Sequence, residues 1–313
     1  MIARLSSERA ATFKTGEKNV GDNFGKFSMP DDAGRPNAQE IGNWNEQMGR
    51  SWALLHERLD RQIAPIGEAA MERAGFRSGE QVLDVGCGCG ETSLTIAGRI
   101  APGQVVGVDV SAMLLDIAAR AAAAKGVKNV SFIEDDAQTH AFQREAFDVI
   151  FSRFGVMFFD DPTAAFTNLR RATPPGGRLA FCCWRNPREN LWLSMPMQAA
   201  GHLLPPLPPS DPNAPGPFAF ADRDRVASIL ADAGFDQVDI QPFDTTTGAE
   251  SLDDSVFLSM RVGQLGSALR QIGPDDELKR KVAEALRAGL QPYVQGGEVR
   301  MPAATWIVSA RNR

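Results

Sequence analysis

The run Val82-Leu83-Asp84-Val85-Gly86-Cys87-Gly88-Cys89-Gly90 limits what this chain can fold into more than any other stretch. Apolar residues around Asp84 suit a buried strand. Three alternate glycines suit a turn that takes positive φ and leaves its backbone bare of Cβ atoms. A helix follows, and its first amides, near Glu91 to Ile96, face back toward the turn, where they favour an anionic group. Nineteen residues past Gly90, the run Val105-Val106-Gly107-Val108 ends in Asp109. A carboxylate at a strand end accepts hydrogen bonds from two ribose hydroxyls. Two strands, a glycine turn and two carboxylates form a site for a nucleoside-bearing cofactor.

The spacing separates two cofactor classes. A dinucleotide fingerprint is G-x-G-x-x-G, with the helix amides on a pyrophosphate. Here the pattern is G-x-G-x-G, and Glu91 occupies the dinucleotide's last glycine position. A carboxylate repels a pyrophosphate. Asp84 stands beneath the turn, where an acid suits an ammonium group. S-adenosylmethionine carries an ammonium, a carboxylate, a sulfonium and a ribose, and no phosphate.

Asp84 to Gly90, as D-x-G-x-G-x-G, resembles motif I of the class I S-adenosylmethionine-dependent methyltransferases. Val106 to Ser111 resembles that family's ribose-binding strand end, and Phe132 to Gln138 its adenine-binding segment. Phe147 to Phe154 resembles the fourth strand and the loop facing the methyl, and Pro174 to Phe181 the turn into the fifth strand. The match is close over residues 80 to 185, in the style of the ubiquinone/menaquinone-type small-molecule enzymes. It implies S-adenosylmethionine as cofactor and S-adenosylhomocysteine as product. The implied cofactor contacts are Asp84, Gly86, Gly88, Gly90, Asp109, Val110, Met113, Asp136, Ala137 and Ser152. Arg153 and Phe154 follow the fourth strand and are expected near the methyl. With Trp44, Trp52 and Trp184 they make up the expected acceptor site. Arg153 is expected to hold an acidic substrate or to pair with Asp160 or Asp161.

Alternating strands near 81–85, 104–108, 130–134, 147–151 and 177–183 predict an α/β, Rossmann-like sheet with helices on both faces. Ser111 is the expected N-cap of the alanine-rich helix 112–124. A helix over 222–233, a strand over 236–243 and a terminal strand over 305–310 bring the count to seven strands. The resemblance implies a last strand that is antiparallel and inserted between the fifth and sixth. Residues 1–40 are polar and aperiodic, predicting a flexible arm. Over 41–75, Trp44, Met48, Trp52, Leu55 and Leu59 share one helical face, as a sheet cover or a lid. Residues 76–313 form the cofactor-binding domain. Two cap insertions are expected, near 184–220, where dense prolines exclude a regular helix, and near 251–290.

The chain is 43% apolar with a net charge of −6. No basic cluster suggests nucleic acid, no apolar run suggests a membrane span, and no leader is evident. A cytoplasmic protein, monomeric or homodimeric, is expected. Cys87 and Cys89 lie in the turn, while Cys182 and Cys183 face opposite sides of a strand, so buried thiols and no metal site are expected. A general base is needed only for a protonated acceptor; the weak candidates are His56, His140 and His202. Ser152-Arg153-Phe154-Gly155 lacks the motif of adenine-N6 DNA enzymes, no cysteine follows a proline, and Arg185-Asn186-Pro187 lacks the acid of the metal-dependent catechol type. What remains is methylation of a small molecule at O, N or C. Two alternatives stand beside it: an NAD-dependent oxidoreductase and a non-catalytic S-adenosylmethionine-binding protein.

Overall fold

A computed structural model describes residues 34, 36–206 and 211–313. Residues 1–33 and 35 of the expected polar arm lie outside these residues, but its last three belong to a helix. Ala38–Asn45 (α1) and Gln47–Ala74 (α2) replace the single helix expected over 41–75. The break falls at Glu46, whose backbone leaves helical geometry. A Cβ on Gly49 would lie 1.8 Å from the Trp44 carbonyl oxygen, so only glycine lets α2 start folded back against α1. Along α2, Leu55, Leu59, Ile63, Ile66, Ala70 and Ala74 are buried at helical spacing. Gly75 then ends the helix in the left-handed conformation, its amide on the Met71 and Glu72 carbonyls.

The sheet begins with Gln81–Val85 (β1), Glu91–Ile100 (α3), Gln104–Asp109 (β2), Ala112–Lys125 (α4) and Val130–Glu134 (β3). It continues with Val149–Arg153 (β4), Pro162–Arg171 (α5) and Arg178–Trp184 (β5). These five strands are parallel, with β1 between β2 and β4. Strand order therefore reverses at β1 and β4, which is where open sheets of this kind bind ligands. Ser111 stands at the N-cap of α4 as expected, but its side chain makes no capping hydrogen bond.

Beyond β5 the chain forms Leu191–Ala200 (α6), Arg223–Asp232 (α7) and Phe235–Ala249 (β6). The helix α6 corrects the expectation that proline density excludes helix here: it ends before the run at Leu204, and its own Pro196 is buried. Residues 207–210 of that run lie outside the described residues. Leu252–Ser259 (α8), Gly263–Ile272 (α9) and Asp276–Leu290 (α10) follow, then Val294–Gln295 (β7) and Glu298–Asn312 (β8). The order is β3-β2-β1-β4-β5-β8-β6, with β7 paired to β8 as an eighth, two-residue strand beyond the expected seven. β8 is antiparallel and sits between β5 and β6.

Three apolar clusters divide the work among the described residues, the smallest joining Leu55 and Leu59 of α2 to Ala249 and Leu258. The main one packs α2, α3, α5 and α7 onto the sheet through fully buried side chains such as Ile66, Phe151, Phe166, Phe181 and Leu230. Burying one such side chain contributes about 1.5–3 kcal/mol. The second joins α6, α8, α9 and α10 to the far end of β8, around Leu265, Leu286, Leu290 and Met301. β8 outruns its predicted length where this cluster covers it, and β6 outruns its own by pairing with β8 as far as Ala249.

Gly90 shows how tightly the layers meet. It has φ +83°, and a Cβ there would lie 2.8 Å from Ala118 Cβ and 3.3 Å from Phe132 Cζ. Gly90→Val is expected to lower stability by about 2 kcal/mol or more, through backbone strain and overpacking. Gly98→Ala, in helical backbone with open space around it, is expected to be neutral or stabilising by about 0.4–1 kcal/mol. Urea denaturation of the two variants checks this, and a Gly90→Val midpoint equal to the parent's would overturn the packing role.

Candidate functional site

The ends of β1 and β4 are brought together by three small residues. The Ser152 hydroxyl donates to the Val85 carbonyl at 2.7 Å and accepts from the Gly155 amide at 3.1 Å. A Cβ on Gly86 would lie 2.6 Å from Gly155 Cα, so neither residue tolerates a side chain. In front of this junction opens a cleft enclosing about 360 Å³, lined by residues from α1, α2, the glycine turn, β2, the segment after β3, β4 and α9.

One end of the cleft is polar. Gly88 has φ +53°, and a Cβ there would meet nothing within 4 Å, so its bare backbone borders open space. Its amide donates to Asp109 Oδ2 at 2.9 Å, and the Ser111 amide donates to Oδ1 at 2.9 Å. Each carboxylate oxygen has a second lone pair left to accept from a ligand. Asp109, Val110, Asp136 and Ala137 all line the cleft. Asp136 Oδ1 accepts from the Gln138 amide at 3.0 Å, which closes the turn after β3. Burial raises the Asp109 pKa, against the hydrogen bonds from the Ser111, Gly88 and Val110 backbone.

Asp84 lies beneath this end. It is fully buried; its Oδ2 accepts from the Thr92 and Ser93 hydroxyls, both at 2.6 Å, and its Oδ1 has no hydrogen-bond partner. Burial pushes its pKa up to about 6, against the pull of those two hydroxyls and of Arg153. Asp84 does not reach the cleft, but Thr92 lines it. Because the Thr92 proton points to Asp84, its oxygen is left as an acceptor facing outward.

The other end is aromatic. Trp44 meets Trp52 at 5.9 Å and Phe158 at 5.2 Å between ring centroids, both edge to face. Phe154, held at φ +65°, stacks on Trp184 at 4.1 Å, and Trp184 meets Trp192 edge-on at 5.0 Å. All six rings line the cleft. Arg153 pairs with Asp60 of α2, not with Asp160 or Asp161 as expected, and each side chain is nearly buried. Gly67 makes room for this: a Cβ there would lie 2.9 Å from Arg153 Cδ. Burial raises the Asp60 pKa, and Arg153 pulls it back.

Some expected site residues stand elsewhere. Gly90, Met113 and Ser152 are not among the lining residues; Gly90 and Ser152 serve packing and strand closure. The three histidines are outside the cleft as well. His56 bonds the Ala53 carbonyl within its own helix, His140 bonds Asp135 Oδ2 at 2.7 Å, and His202 is exposed. The four cysteines are buried, and desolvation pushes the Cys89 and Cys182 thiols up to about 12. Among the described residues no group of three or more His, Cys, Asp or Glu could hold a metal ion, and no helix is long and apolar enough to cross a membrane. Sequence reading missed Asp60, Arg261 and Arg270 in the lining. Asp60 left one signal: it follows Leu59 on the apolar face, with Ile63 and Gly67 at helical spacing beyond it.

A family model described as a methyltransferase domain matches residues 82–177. The C-methyltransferase UbiE of ubiquinone/menaquinone biosynthesis in Pseudomonas aeruginosa is 29% identical over 226 residues, 69% of this chain and 87% of that protein. Aklanonic acid methyltransferase DauC of Streptomyces sp. is 30% identical over 128 residues; the match covers 40% of this chain and 58% of DauC, less than two thirds of that relative. A putative methyltransferase from Bacillus halodurans has a similar fold, with a TM-score of 0.53 at 17% identity over 79% of this chain and 98% of that one. The [4+2]-cyclase SpnF shares the fold too, with a TM-score of 0.50 at 21% identity, over 79% of this chain and 80% of SpnF. This sheet order, this turn and these matches support a class I S-adenosylmethionine-dependent methyltransferase, with residues 82–177 matching the methyltransferase domain itself.

Proposed function

We propose that this enzyme methylates a small, largely apolar molecule with an unsaturated or aromatic body. One observation carries the reading: a single cleft joins the bare Gly88 backbone and the Asp109 carboxylate to a wall of six aromatic rings. In this reading S-adenosylmethionine, when bound, supplies an electrophilic methyl on a positive sulfur, and the acceptor displaces it in line. Asp109 would accept from the two ribose hydroxyls, its orientation already fixed by two backbone amides. Asp136 and Ala137 would face the adenine, and Thr92, oriented by Asp84, would accept from the ammonium. The unpartnered Asp84 Oδ1 supports this fit, because a buried acid whose tempering cation, Arg153, is shared with Asp60 is complemented by a positive ligand.

At the other end the rings would hold the acceptor and keep water out. Alignment of donor and acceptor in such a pocket is worth at most about 7–11 kcal/mol. No histidine lines the cleft, so a protonated acceptor would have to lose its proton to Asp60, Glu40 or solvent. Asp60 and Glu40 are the carboxylates that line the cleft from α2 and α1.

Asp109→Ala is expected to weaken S-adenosylmethionine binding about 10- to 100-fold, from losing hydrogen bonds to a charged group. Calorimetry measures it, and an unchanged affinity would remove Asp109 from the site. Gly88→Val should abolish binding while the far-ultraviolet circular dichroism stays that of the parent. Retained binding would show that no ligand approaches that backbone.

A pH series tests Asp84. A positive ligand favours the ionised acid, and the free protein takes up a proton as pH falls through about 6. Affinity is therefore expected to be flat between pH 7 and 6.5 and to fall toward tenfold per unit below 6. Asp84→Asn should bind more weakly at pH 7 and lose that slope. The same shift has the opposite sign for stability: the raised pKa favours folding below about 4 and is lost as pH rises through 6. The asparagine variant should therefore be at least as stable as the parent at pH 7, and a variant both unstable and unaltered in its slope would contradict the assignment.

A further inference from the structure

Arg153, expected from the sequence to hold an acidic substrate, is already neutralised by Asp60. Two other arginines line the cleft, Arg261 after α8 and Arg270 in α9. Among the described residues neither meets a carboxylate. Arg261 Nη1 donates to the Phe257 carbonyl at 3.0 Å, and Arg270 Nη1 donates to the Arg261 carbonyl. A guanidinium has five N–H donors, so most of each remains available. The acids of α8 are committed elsewhere, Asp253 to Arg287 and Asp254 to Arg58, and α9 carries none.

The corner that holds these arginines is preorganised. The Arg261 guanidinium lies 3.7 Å from the centroid of the Phe257 ring. A Cβ on Gly266 would lie 2.4 Å from the Arg261 carbonyl carbon, so α9 is locked against the residue that Arg270 bonds. Desolvation lowers the pKa of both arginines below the ordinary guanidinium value, as expected of cations held against apolar surroundings without a counter-charge. Gln264 and Ser267 add neutral polar side chains to the same stretch of lining. The other carboxylates at this end do not compensate them: Asp60 is paired, and Glu40 accepts from Asn43 and has its pKa raised by burial.

We infer that Arg261 and Arg270 bind an anionic oxygen group, such as a carboxylate, on the acceptor, whose aromatic or unsaturated body lies against the Trp and Phe wall. The planar fork of each guanidinium suits a carboxylate or a similar oxyanion. This rests on the cleft being the acceptor site of a methyltransferase, and it narrows the substrate class to organic acids with an apolar body.

Two fluorescent probes that differ by one anionic group test it: 1-anilinonaphthalene-8-sulfonate and the uncharged N-phenyl-1-naphthylamine. Both are titrated into the full chain with S-adenosylhomocysteine present. Arg261→Met and Arg270→Met should each weaken the sulfonate several-fold, and the double variant about tenfold or more. The uncharged probe should stay within about twofold, as should both probes in Arg280→Met, whose arginine sits in exposed ion pairs with Glu277 and Glu284. Equal weakening of the two probes, or none in the double variant, would overturn the inference. So would an equal loss of S-adenosylmethionine affinity, which would assign the arginines to the cofactor. If the parent chain itself binds no S-adenosylmethionine, the methyltransferase reading of the cleft fails, while the difference between the probes still reports whether these arginines select an anion.

Discussion

The contact between Gly86 and Gly155 is the constraint on which the rest depends. Two parallel strands can end in one cleft only if the loops leaving them diverge without blocking it. Here the loops touch backbone to backbone, and the Ser152 hydroxyl ties them by bonding Val85 on one side and Gly155 on the other. From this junction β1 turns toward α3 through Gly88, and β4 turns toward its short 3-10 helix through Phe154. Both turning residues are left-handed, at φ +53° and +65°. For glycine that conformation costs little, whereas for phenylalanine it is strained. The stacking of Phe154 on Trp184 and its burial help offset that strain, and they also deliver the ring to the cleft.

The charge pattern follows from the same geometry. Asp84 and Asp109 stand at the ends of adjacent strands in a dry part of the molecule, with raised pKa values. Arg153 is the cation that tempers Asp84, and it is shared with Asp60. The polar end of the cleft therefore holds more negative charge than it neutralises. The cleft lining also holds two arginines that meet no carboxylate among the described residues. One cleft with an acidic end and a basic end discriminates by orientation: a positively charged donor and a negatively charged acceptor are each repelled from the other's seat.

The cofactor half was legible because its parts are local. A strand, three glycines and a helix occupy residues 81 to 100, and Asp109 follows one strand later, so spacing alone places them. Even there, sequence reading did not separate Gly88, which borders the cleft, from Gly90, which packs α3 against α4, since φ is positive at both. The acceptor half was legible only as a tendency toward aromatic residues. Its wall is assembled from α1, α2, β4, β5 and α6, and its arginines come from beyond residue 260. Asp60 and Arg153 are 93 positions apart, and no periodicity links them. The single helix expected over 41–75 failed for a related reason, because the break at Glu46 depends on where Gly49 meets Trp44 in space.

This division bears on how such a fold acquires a reaction. The sheet, the turn and the strand-end acid are built around the main apolar cluster. The helices α8, α9 and α10 belong to the second cluster, whose residues largely lie outside the parallel strands. Changes in the second cluster can therefore move the two arginines while the sheet and most of the ring wall keep their packing. A shared sheet does not fix a reaction; the groups facing the strand ends do. In this chain those groups are a ring wall, an Asp60–Arg153 pair and two arginines that meet no counter-charge among the described residues. Only the arginines distinguish an acid from a neutral molecule of the same shape, so specificity rests on the part of the protein least tied to the shared core.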